Sequence, residues 1–191
     1  MQNHPAKGPA EGTTPPEFPA NLSEPKPLRV LFLDIDGVLN SHRSCLALGG
    51  ISHDASPDGL TQFDPLALAM VRGLCRGAGL SVVLSSSWRI LNDWRELGPQ
   101  LGLPMIGATP RLAGARGNEI AAWLLDHPEP VEAYAIVDDD GDMLPDQLPR
   151  FVQTRHTEGL LFGDVEKLAA LFGVNVWDCA APRRYAGRRN A

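Results

Sequence analysis

Aspartates close two apolar segments of this sequence. Asp34 and Asp36 end the run that begins at Arg29, and four aspartates around Gly141 end the run that begins at Tyr134. Several carboxylates within a few ångström of one another cannot all stay ionised without a cation, because like charges disfavour each other. Mg²⁺ fits this need best, since it takes oxygen ligands from one or two carboxylates together with phosphate. The pattern therefore predicts a magnesium site for a phosphorylated substrate.

Simpler explanations account for a single aspartate of this group. An aspartate at the end of a strand usually caps a helix or forms an Asx turn, and that interpretation stays open for each acid taken alone. An EF-hand loop is excluded because it needs an acid at position 1, and counting back from Gly141 puts Ile136 there. The glycine-rich nucleotide-binding motifs G-x-x-x-x-G-K-[ST] and G-x-G-x-x-G do not occur. Acids that converge from matching strands favour the metal site.

The elements that would position these acids alternate between strands and helices. Apolar runs without polar alternation are typical of strands that are buried on both faces. Asp64 and Pro65 are typical of a helix start, and Gly77 and Gly79 of its end. We predict strands at residues 29–34, 80–85, 105–108, 134–138 and 151–154, and further helices at 88–101, 117–127 and 164–172. This order predicts an α/β fold, doubly wound (Rossmann-like), with a mainly parallel sheet of about five strands and a ligand site beyond their carboxyl ends.

Length and composition are typical of one globular domain. The 191 residues are 43% hydrophobic and 21% charged, and no stretch approaches the roughly 20 apolar residues of a membrane span. The N-terminus lacks the apolar core of a secretory signal. Cys45, Cys75 and Cys179 are odd in number and widely spaced, which argues against a disulfide framework or a zinc site. We therefore expect a cytoplasmic protein without a membrane partner.

Proline and charge divide the chain into three parts. Residues 1–27 contain seven prolines and almost no aliphatic residues, which predicts a disordered leader. Residues 181–191 form a basic tail that we expect to be flexible, and we expect residues 28–180 to form the folded domain. The total charge is −6, the leader carries −1 and the tail +4, so the middle of the chain carries −9. A body this acidic binds polyanions poorly unless a local patch or a bound cation reverses its field.

Four motifs occur in the order found in phosphatases of the haloacid dehalogenase (HAD) superfamily. The segment Asp34-Ile-Asp-Gly-Val-Leu39 resembles the D-x-D-G-[TV]-L motif, and Ser85 resembles the Ser/Thr of the second motif. Arg116 stands before a helix, where the basic third motif belongs, and Asp138-Asp139 resembles the paired acids of the fourth. The match spans most of residues 29–172. More narrowly, residues 84–89 and 136–143 resemble the small HAD domains associated with nucleic-acid repair proteins.

The resemblance implies a Mg²⁺-dependent phosphomonoester hydrolase that acts through an aspartyl-phosphate intermediate. Asp34 would be the nucleophile, and Asp36 would protonate the leaving oxygen and then take a proton from the hydrolytic water. Asp34, Asp138 and the backbone carbonyl of Asp36 would hold Mg²⁺, with Asp139 close behind. This assignment gives Asp34, Asp36, Asp138 and Asp139 a role each.

Hydroxyl and basic side chains would hold the phosphoryl group. Ser85 would donate a hydrogen bond to a phosphoryl oxygen, and Arg116 would supply fixed positive charge. The third motif of the family is most often Lys, and Arg differs from Lys in size and in its two-pronged contact with phosphate. Arg111 therefore stays an alternative for this role. Ser86 and Arg89 are expected to bind substrate, with Arg89 either on a second phosphate or an ordinary surface residue.

Two segments decide how open the site is. Residues 40–62 and 102–115 are too short for the cap domain that HAD enzymes of small metabolites usually carry, so the resemblance implies a capless or minimally capped enzyme. An open site admits a bulky phosphoester such as a nucleic-acid end, although the acidic body argues mildly against tight nucleic-acid binding. The alternatives are a small-metabolite phosphatase and a non-catalytic, metal-dependent binding or scaffold domain. A phospho-receiver module fits less well because it has no use for Asp36.

Overall fold

The computed structural model describes residues 28–50 and 56–180 and contains one parallel sheet in this part of the chain. Its strands are β1 (Leu28–Leu33), β2 (Ser81–Leu84), β3 (Met105–Ala108), β4 (Val131–Asp138) and β5 (Phe151–Gln153). They lie in the order β3-β2-β1-β4-β5, and all four neighbouring pairs are parallel. The predicted α/β fold with a parallel five-stranded sheet is confirmed. The start of β4 was predicted least accurately, because the strand begins at Val131, three residues before the predicted start at residue 134.

The central strand, β1, explains why its sequence is apolar without alternation. Leu31 and Leu33 point into the larger core on one face of the sheet, and Val30 and Phe32 point into the smaller core on the other. All four side chains are fully buried. Because β1 is paired on both edges and covered on both faces, these side chains do not reach water, and polar residues are disfavoured at their positions.

Helices cover both faces of the sheet, as a doubly wound fold requires. The helices are α1 (His42–Leu48), α2 (Pro57–Leu60), α3 (Pro65–Ala78), α4 (Trp94–Leu101), α5 (Arg116–Asp126) and α6 (Phe162–Leu171). Buried residues of α3, α4 and α6 pack with Leu31 and Leu33, whereas α5 packs with Phe32 through Ile120 and Trp123. The position of α5 brings its first residue, Arg116, close to the ends of the central strands.

Helix α3 begins and ends where the sequence predicts. The Asp64 side chain accepts hydrogen bonds from the backbone N–H groups of Leu66 and Ala67, and Pro65 is the first helical residue. Gly79 ends the helix with a φ of 65°, a left-handed conformation that costs glycine little. These local signals were sufficient because each one satisfies backbone groups at the helix end without help from the rest of the fold.

The segment after β2 is not the single helix predicted for residues 88–101. A 3₁₀ turn (Ser87–Ile90) comes first, and α4 starts separately at Trp94. The Asp93 side chain caps α4 by accepting a hydrogen bond from the backbone N–H of Arg95. Trp88 and Arg89 therefore belong to a tight turn at the end of β2 and not to a helix face.

The insertion after β1 is a minimal cap. Two short helices, α1 and α2, occupy the described parts of residues 40–62, and residues 51–55 lie outside the description. Ser41 caps α1 through a reciprocal pair of hydrogen bonds with Ser44. Between α4 and α5 the chain forms only β3 and the loop 109–115. The predicted absence of a full cap domain agrees with this arrangement.

Both chain termini lie outside the described residues. The predicted leader, residues 1–27, and the predicted basic tail, residues 181–191, belong to these segments. Among the residues that the structure describes, no helix is long and apolar enough to cross a membrane.

Candidate active site

Three polar side chains lie side by side at the carboxyl ends of the central strands. The sheet register pairs Leu33 with Leu84 and with Val137, so the next residues of β1, β2 and β4 are neighbours. These residues are Asp34, Ser85 and Asp138. Side chains alternate along a strand, so all three continue the face that Phe32, Val83 and Ile136 cover further back. All three are buried, at the point where the strand order changes direction and α/β sheets bind their ligands.

Three carboxylates at this edge of the sheet are close enough to share one cation. Asp34, Asp138 and Asp139 each have an oxygen within 4.8 Å of the others. Burial raises the pKa of Asp34 well above its usual range, and the neighbouring Asp138 raises it further. Burial also raises the pKa of Asp138, to about 6, and that of Asp139. One oxygen of Asp138, Oδ2, is buried without a hydrogen-bond partner. This cluster favours a positive ligand, and its oxygen donors are those that Mg²⁺ prefers.

Arg116 is the basic group that contacts these acids. Its Nη1 atom lies 3.7 Å from Asp34 Oδ1, and its Nε atom lies 3.7 Å from Asp138 Oδ2. The guanidinium lowers the pKa of both carboxyls, although burial outweighs it. Nη1 is buried and has no hydrogen-bond partner in the described chain. The alternative residue, Arg111, is exposed and forms no ion pair with any described residue.

Asp36 lies apart from the three clustered carboxylates and is exposed. Its Oδ2 accepts a hydrogen bond from the indole Nε1 of Trp88 at 3.0 Å, and its Oδ1 accepts one from Nδ2 of Asn40 at 3.1 Å. The side chain of Asp36 is therefore held at the solvent side of the site, separate from the ligand atoms predicted for the metal. The position of its backbone carbonyl relative to a metal stays a prediction.

Trp88 is a site residue that the sequence did not reveal. Its ring is buried like that of a core residue and packs edge-on against Phe63 at 5.3 Å between ring centroids. The same ring also fixes Asp36. A buried tryptophan usually finds an acceptor for its N–H, so a Trp three residues after Ser85 carried a signal, but the sequence could not identify the acceptor.

The two serines after β2 have different environments. Ser85 Oγ is fully buried and has no hydrogen-bond partner among the described residues. The Ser86 hydroxyl hydrogen-bonds the Asp34 carboxylate and thereby lowers the pKa of Asp34. Ser85 is thus the serine whose hydroxyl has no partner in the described chain, and the predicted substrate contacts of Ser85 and Ser86 stay predictions.

Arg89 is already bound within the protein. Its Nη2 atom forms an ion pair with Glu119 Oε2 at 2.6 Å, and both side chains are about nine-tenths buried. Its Nη1 atom donates to the backbone carbonyls of Ser85 and Ser86. Glu119 also accepts a hydrogen bond from the backbone N–H of Leu112. The pair ties β2, α5 and the loop before α5 together, and the predicted contact between Arg89 and substrate stays a prediction.

Gly37 lets the loop after β1 pass directly against Asp139. Its φ is 75°, which disfavours other residues, and a Cβ atom there would collide with the Asp139 carboxyl group. The Thr154 hydroxyl donates to the carbonyl of Gly37 at 2.8 Å, and the Leu160 N–H donates to the carbonyl of Val38. The loop that carries Asp36 is thus fixed by contacts with β4 and with the segment after β5.

Comparison with known proteins agrees with this geometry. A family model described as the HAD domain in Swiss Army Knife RNA repair proteins matches residues 30–165. No curated protein matches the chain. The matched residues include the four motif positions and all five strands apart from the first two residues of β1. Because the match covers most of the chain, the protein belongs to the family of HAD domains found in Swiss Army Knife RNA repair proteins.

Proposed function

We propose that this protein is a Mg²⁺-dependent phosphomonoester hydrolase that forms an aspartyl phosphate on Asp34. Membership of the HAD superfamily implies a phosphatase-type hydrolase in general. One observation carries the more specific proposal: buried polar atoms of Ser85, Arg116 and Asp138 meet at one sheet edge and have no partners in the described chain. Unpaired buried polar groups are costly, and a phosphoryl group with a divalent cation would satisfy all three.

The residues present fit Mg²⁺. Asp34, Asp138 and Asp139 offer carboxylate oxygens within reach of one another, and Oδ2 of Asp138 has no hydrogen-bond partner. The pKa of each carboxyl group is raised because the site disfavours negative charge unless a cation is bound. When bound, the ion would reduce the repulsion between the nucleophilic carboxylate and the phosphate dianion.

The chain's own residues divide the reaction into two steps. In the first, an Asp34 oxygen bonds to phosphorus, the bond to the leaving oxygen breaks, and Asp36 gives that oxygen its proton. In the second, Asp36 takes a proton from water as the water oxygen attacks phosphorus, and the bond between phosphorus and Asp34 breaks. Phosphate is released and both aspartates return to their starting states. Ser85 and Arg116 would donate hydrogen bonds to the phosphoryl oxygens throughout.

The position of Asp36 suits the proton transfers. It is exposed and held by Trp88 and Asn40, whereas Asp34 is buried against Arg116. A leaving group that points to solvent would therefore lie closer to Asp36 than to Asp34, the other acid of the D-x-D motif. The two aspartates thus occupy environments that suit a proton carrier and a nucleophile.

The open site and the family suggest a bulky substrate. The minimal cap leaves room for a phosphorylated polymer, and the matched family is named for RNA repair proteins. We therefore propose a phosphate at a nucleic-acid end as the substrate class, in a cytoplasmic protein whose three cysteines are free thiols.

A substrate panel with Mg²⁺ tests the function. It should contain a small aryl phosphate and oligonucleotides with a 5′- or 3′-phosphate, each assayed with the full chain and with Asp34→Asn. We expect hydrolysis that excess chelator removes, a phosphoenzyme that can be trapped only in the unsubstituted chain, and higher kcat/KM for oligonucleotides. Undiminished hydrolysis in chelator, or by Asp34→Asn, would contradict the proposal.

A further inference from the structure

A groove leads away from the candidate active site along the 3₁₀ turn Ser87–Ile90. It consists of two adjoining cavities of about 230 and 330 Å³ that share Arg89, Ile90 and Arg111 as lining residues. The first cavity is also lined by Arg116, whose guanidinium lies 3.7 Å from Asp34 and from Asp138. The second reaches Thr109, at the end of β3. A substrate that is bound at Arg116 can therefore extend into this groove.

Arg111 is the uncommitted charge of the groove. Its side chain is exposed and takes part in no ion pair or hydrogen bond with the described residues. The other charged groups are engaged: Arg89 is paired with Glu119, and Asp142 accepts a hydrogen bond from the backbone N–H of Arg116. A free guanidinium beside a catalytic site favours a ligand with paired anionic oxygens, for which its fork-shaped donors are suited.

Two further donors line this groove without partners. Thr109 is only 4% exposed, and its Oγ1 atom has no hydrogen-bond partner in the described chain. Nε of Arg89 is also buried without a hydrogen-bond partner in the described chain, whereas the two other nitrogens of that guanidinium have partners. Buried donors without acceptors are rare in folded proteins, and oxygens of an anion would supply the missing acceptors.

We propose that this groove is a second phosphate-binding subsite, which holds another phosphate of the substrate whose reacting phosphate lies at Asp34. The inference rests on the proposed function. Asp36, the proposed proton donor to the leaving group, accepts a hydrogen bond from Trp88, which belongs to the same 3₁₀ turn as the groove-lining residues Arg89 and Ile90. The partly exposed side chains of Ile90 and Leu112 flank the groove and offer apolar contact to the connecting group. The ligand class is thus a substrate with two phosphates joined by an organic moiety.

Binding can be measured without turnover. The full chain with Asp34→Asn should be titrated calorimetrically, with Mg²⁺, using adenosine 3′,5′-bisphosphate and each adenosine monophosphate. We expect the bisphosphate to bind at least about tenfold more tightly, because its second phosphate would add charge-assisted hydrogen bonds to Arg111. Adding Arg111→Gln should reduce the ratio between the affinities to near one. Arg150→Gln removes an exposed arginine next to β5, at the opposite end of the sheet, and should leave the ratio unchanged.

The outcomes separate the subsite from the function. Equal affinities for the three ligands, or an Arg111→Gln loss that is the same for all of them, would overturn the subsite. Hydrolysis by the unsubstituted chain, measured in parallel, decides the proposed function. If the chain hydrolyses phosphomonoesters and shows no preference for the bisphosphate, only the subsite is wrong. A preference that depends on Arg111 supports the subsite as an anion site, even in a chain without hydrolytic activity.

Discussion

Asp34 and Asp36 are two residues apart and lie in opposite environments. Asp34 is buried among other carboxylates and is contacted by Arg116, whereas Asp36 is exposed and receives two hydrogen bonds from neutral donors. A buried carboxylate beside a fixed cation is poorly suited to exchange protons with solvent. An exposed carboxyl group is poorly suited to attack a phosphorus atom that is shielded from water. The division of roles that we propose for the two aspartates rests on this difference in burial and hydrogen bonding.

Substituting each aspartate separates these roles. Asp34→Asn should abolish turnover and the covalent intermediate, because an amide is no nucleophile. Asp36→Asn should still bind substrate but lower kcat by about 10²–10⁴-fold, the usual contribution of general acid–base catalysis. Rapid-quench measurement of phosphoenzyme and product checks both. Turnover by Asp34→Asn near the normal rate would show that another residue is the nucleophile.

Arg116 should matter both for rate and for the pH profile. Arg116→Ala should lower kcat/KM by roughly 10–150-fold, which corresponds to a charge-assisted hydrogen bond of about 1.5–3 kcal/mol. Since Arg116 lowers the pKa of Asp34 and Asp138, its removal should move the acidic limb of the profile to higher pH. Arg116→Lys should restore part of both. Arg150→Ala is the matched control, and an equal loss there would mean that net charge alone is responsible.

At the scale of elements, the interruption between the 3₁₀ turn and α4 assembles the site. Ser86 caps the turn by accepting from the backbone N–H of Trp88, and Asp93 caps α4 independently. One continuous helix over residues 88–101 would carry Trp88 along its axis and away from β1. The interruption instead lets the indole reach Asp36 and lets Arg89 turn back to the carbonyls of Ser85 and Ser86.

The Arg89–Glu119 pair should stabilise the fold measurably. Glu119→Leu leaves a buried guanidinium without its counter-charge, which costs about 3–5 kcal/mol for pairs of this kind. Adding Arg89→Met should recover much of that loss, because both charges are then removed. Urea unfolding of the single and double variants measures this coupling. The exposed Lys167 beside Asp164 serves as the control, since Lys167→Met should change the free energy of unfolding by at most about 1 kcal/mol.

Helix α1 shows where sequence patterns are insufficient. Residues 42–48 have no apolar stripe that faces the core, and Leu46 is 90% exposed. The helix is held by its cap at Ser41 and by backbone hydrogen bonds from His42 and Arg43 to the segment after β5. Helix α3, by contrast, carries its start and stop signals in its own residues, and its bounds could be predicted.

The same distinction applies to the site. Asp34, Ser85 and Asp138 could be placed together from the sequence, because parallel strands bring their carboxyl ends to one edge. Arg116, the first residue of α5, was placed near them only by the family resemblance. Glu119 and the contact of Trp88 with Asp36 could not be predicted, since both depend on tertiary contacts between distant segments. A glutamate in the first turn of a helix is usually a solvated residue, and nothing local distinguishes this one.

For the whole molecule, the acidic cluster should make stability depend on pH and, through the proposed metal site, on Mg²⁺. The pKa of Asp138 is raised from 3.8 to about 6 in the folded chain. Between these values the folded state holds a proton that the unfolded state has released. The stabilisation is therefore complete below about pH 4 and is lost as pH rises through about 6, by roughly 3 kcal/mol. Asp34 and Asp139 shift in the same direction.

Mg²⁺ should reverse this loss. In chelator, Tm should fall between pH 5 and 7.5, and added Mg²⁺ should raise Tm much more at pH 7.5, where the carboxylates are ionised and available as ligands. Thermal unfolding at both pH values, with and without Mg²⁺, measures the effect. Asp138→Asn should lessen both the fall and the Mg²⁺ effect. An equal rise in Tm at pH 5 and 7.5 would argue against carboxylate ligation.

The pairing of β1 with β4 has a consequence for how activity arises during folding. Leu33 and Val137 are neighbours in the sheet but lie about a hundred residues apart in the sequence. Contacts of such long range form slowly, because the intervening chain must first lose its freedom. Asp34, the proposed nucleophile, directly follows β1, and its acidic neighbours Asp138 and Asp139 lie at the end of β4. During refolding, recovered hydrolysis therefore cannot precede the joining of the two strands, and an enzymatic assay reports the completion of the sheet more directly than helix content does.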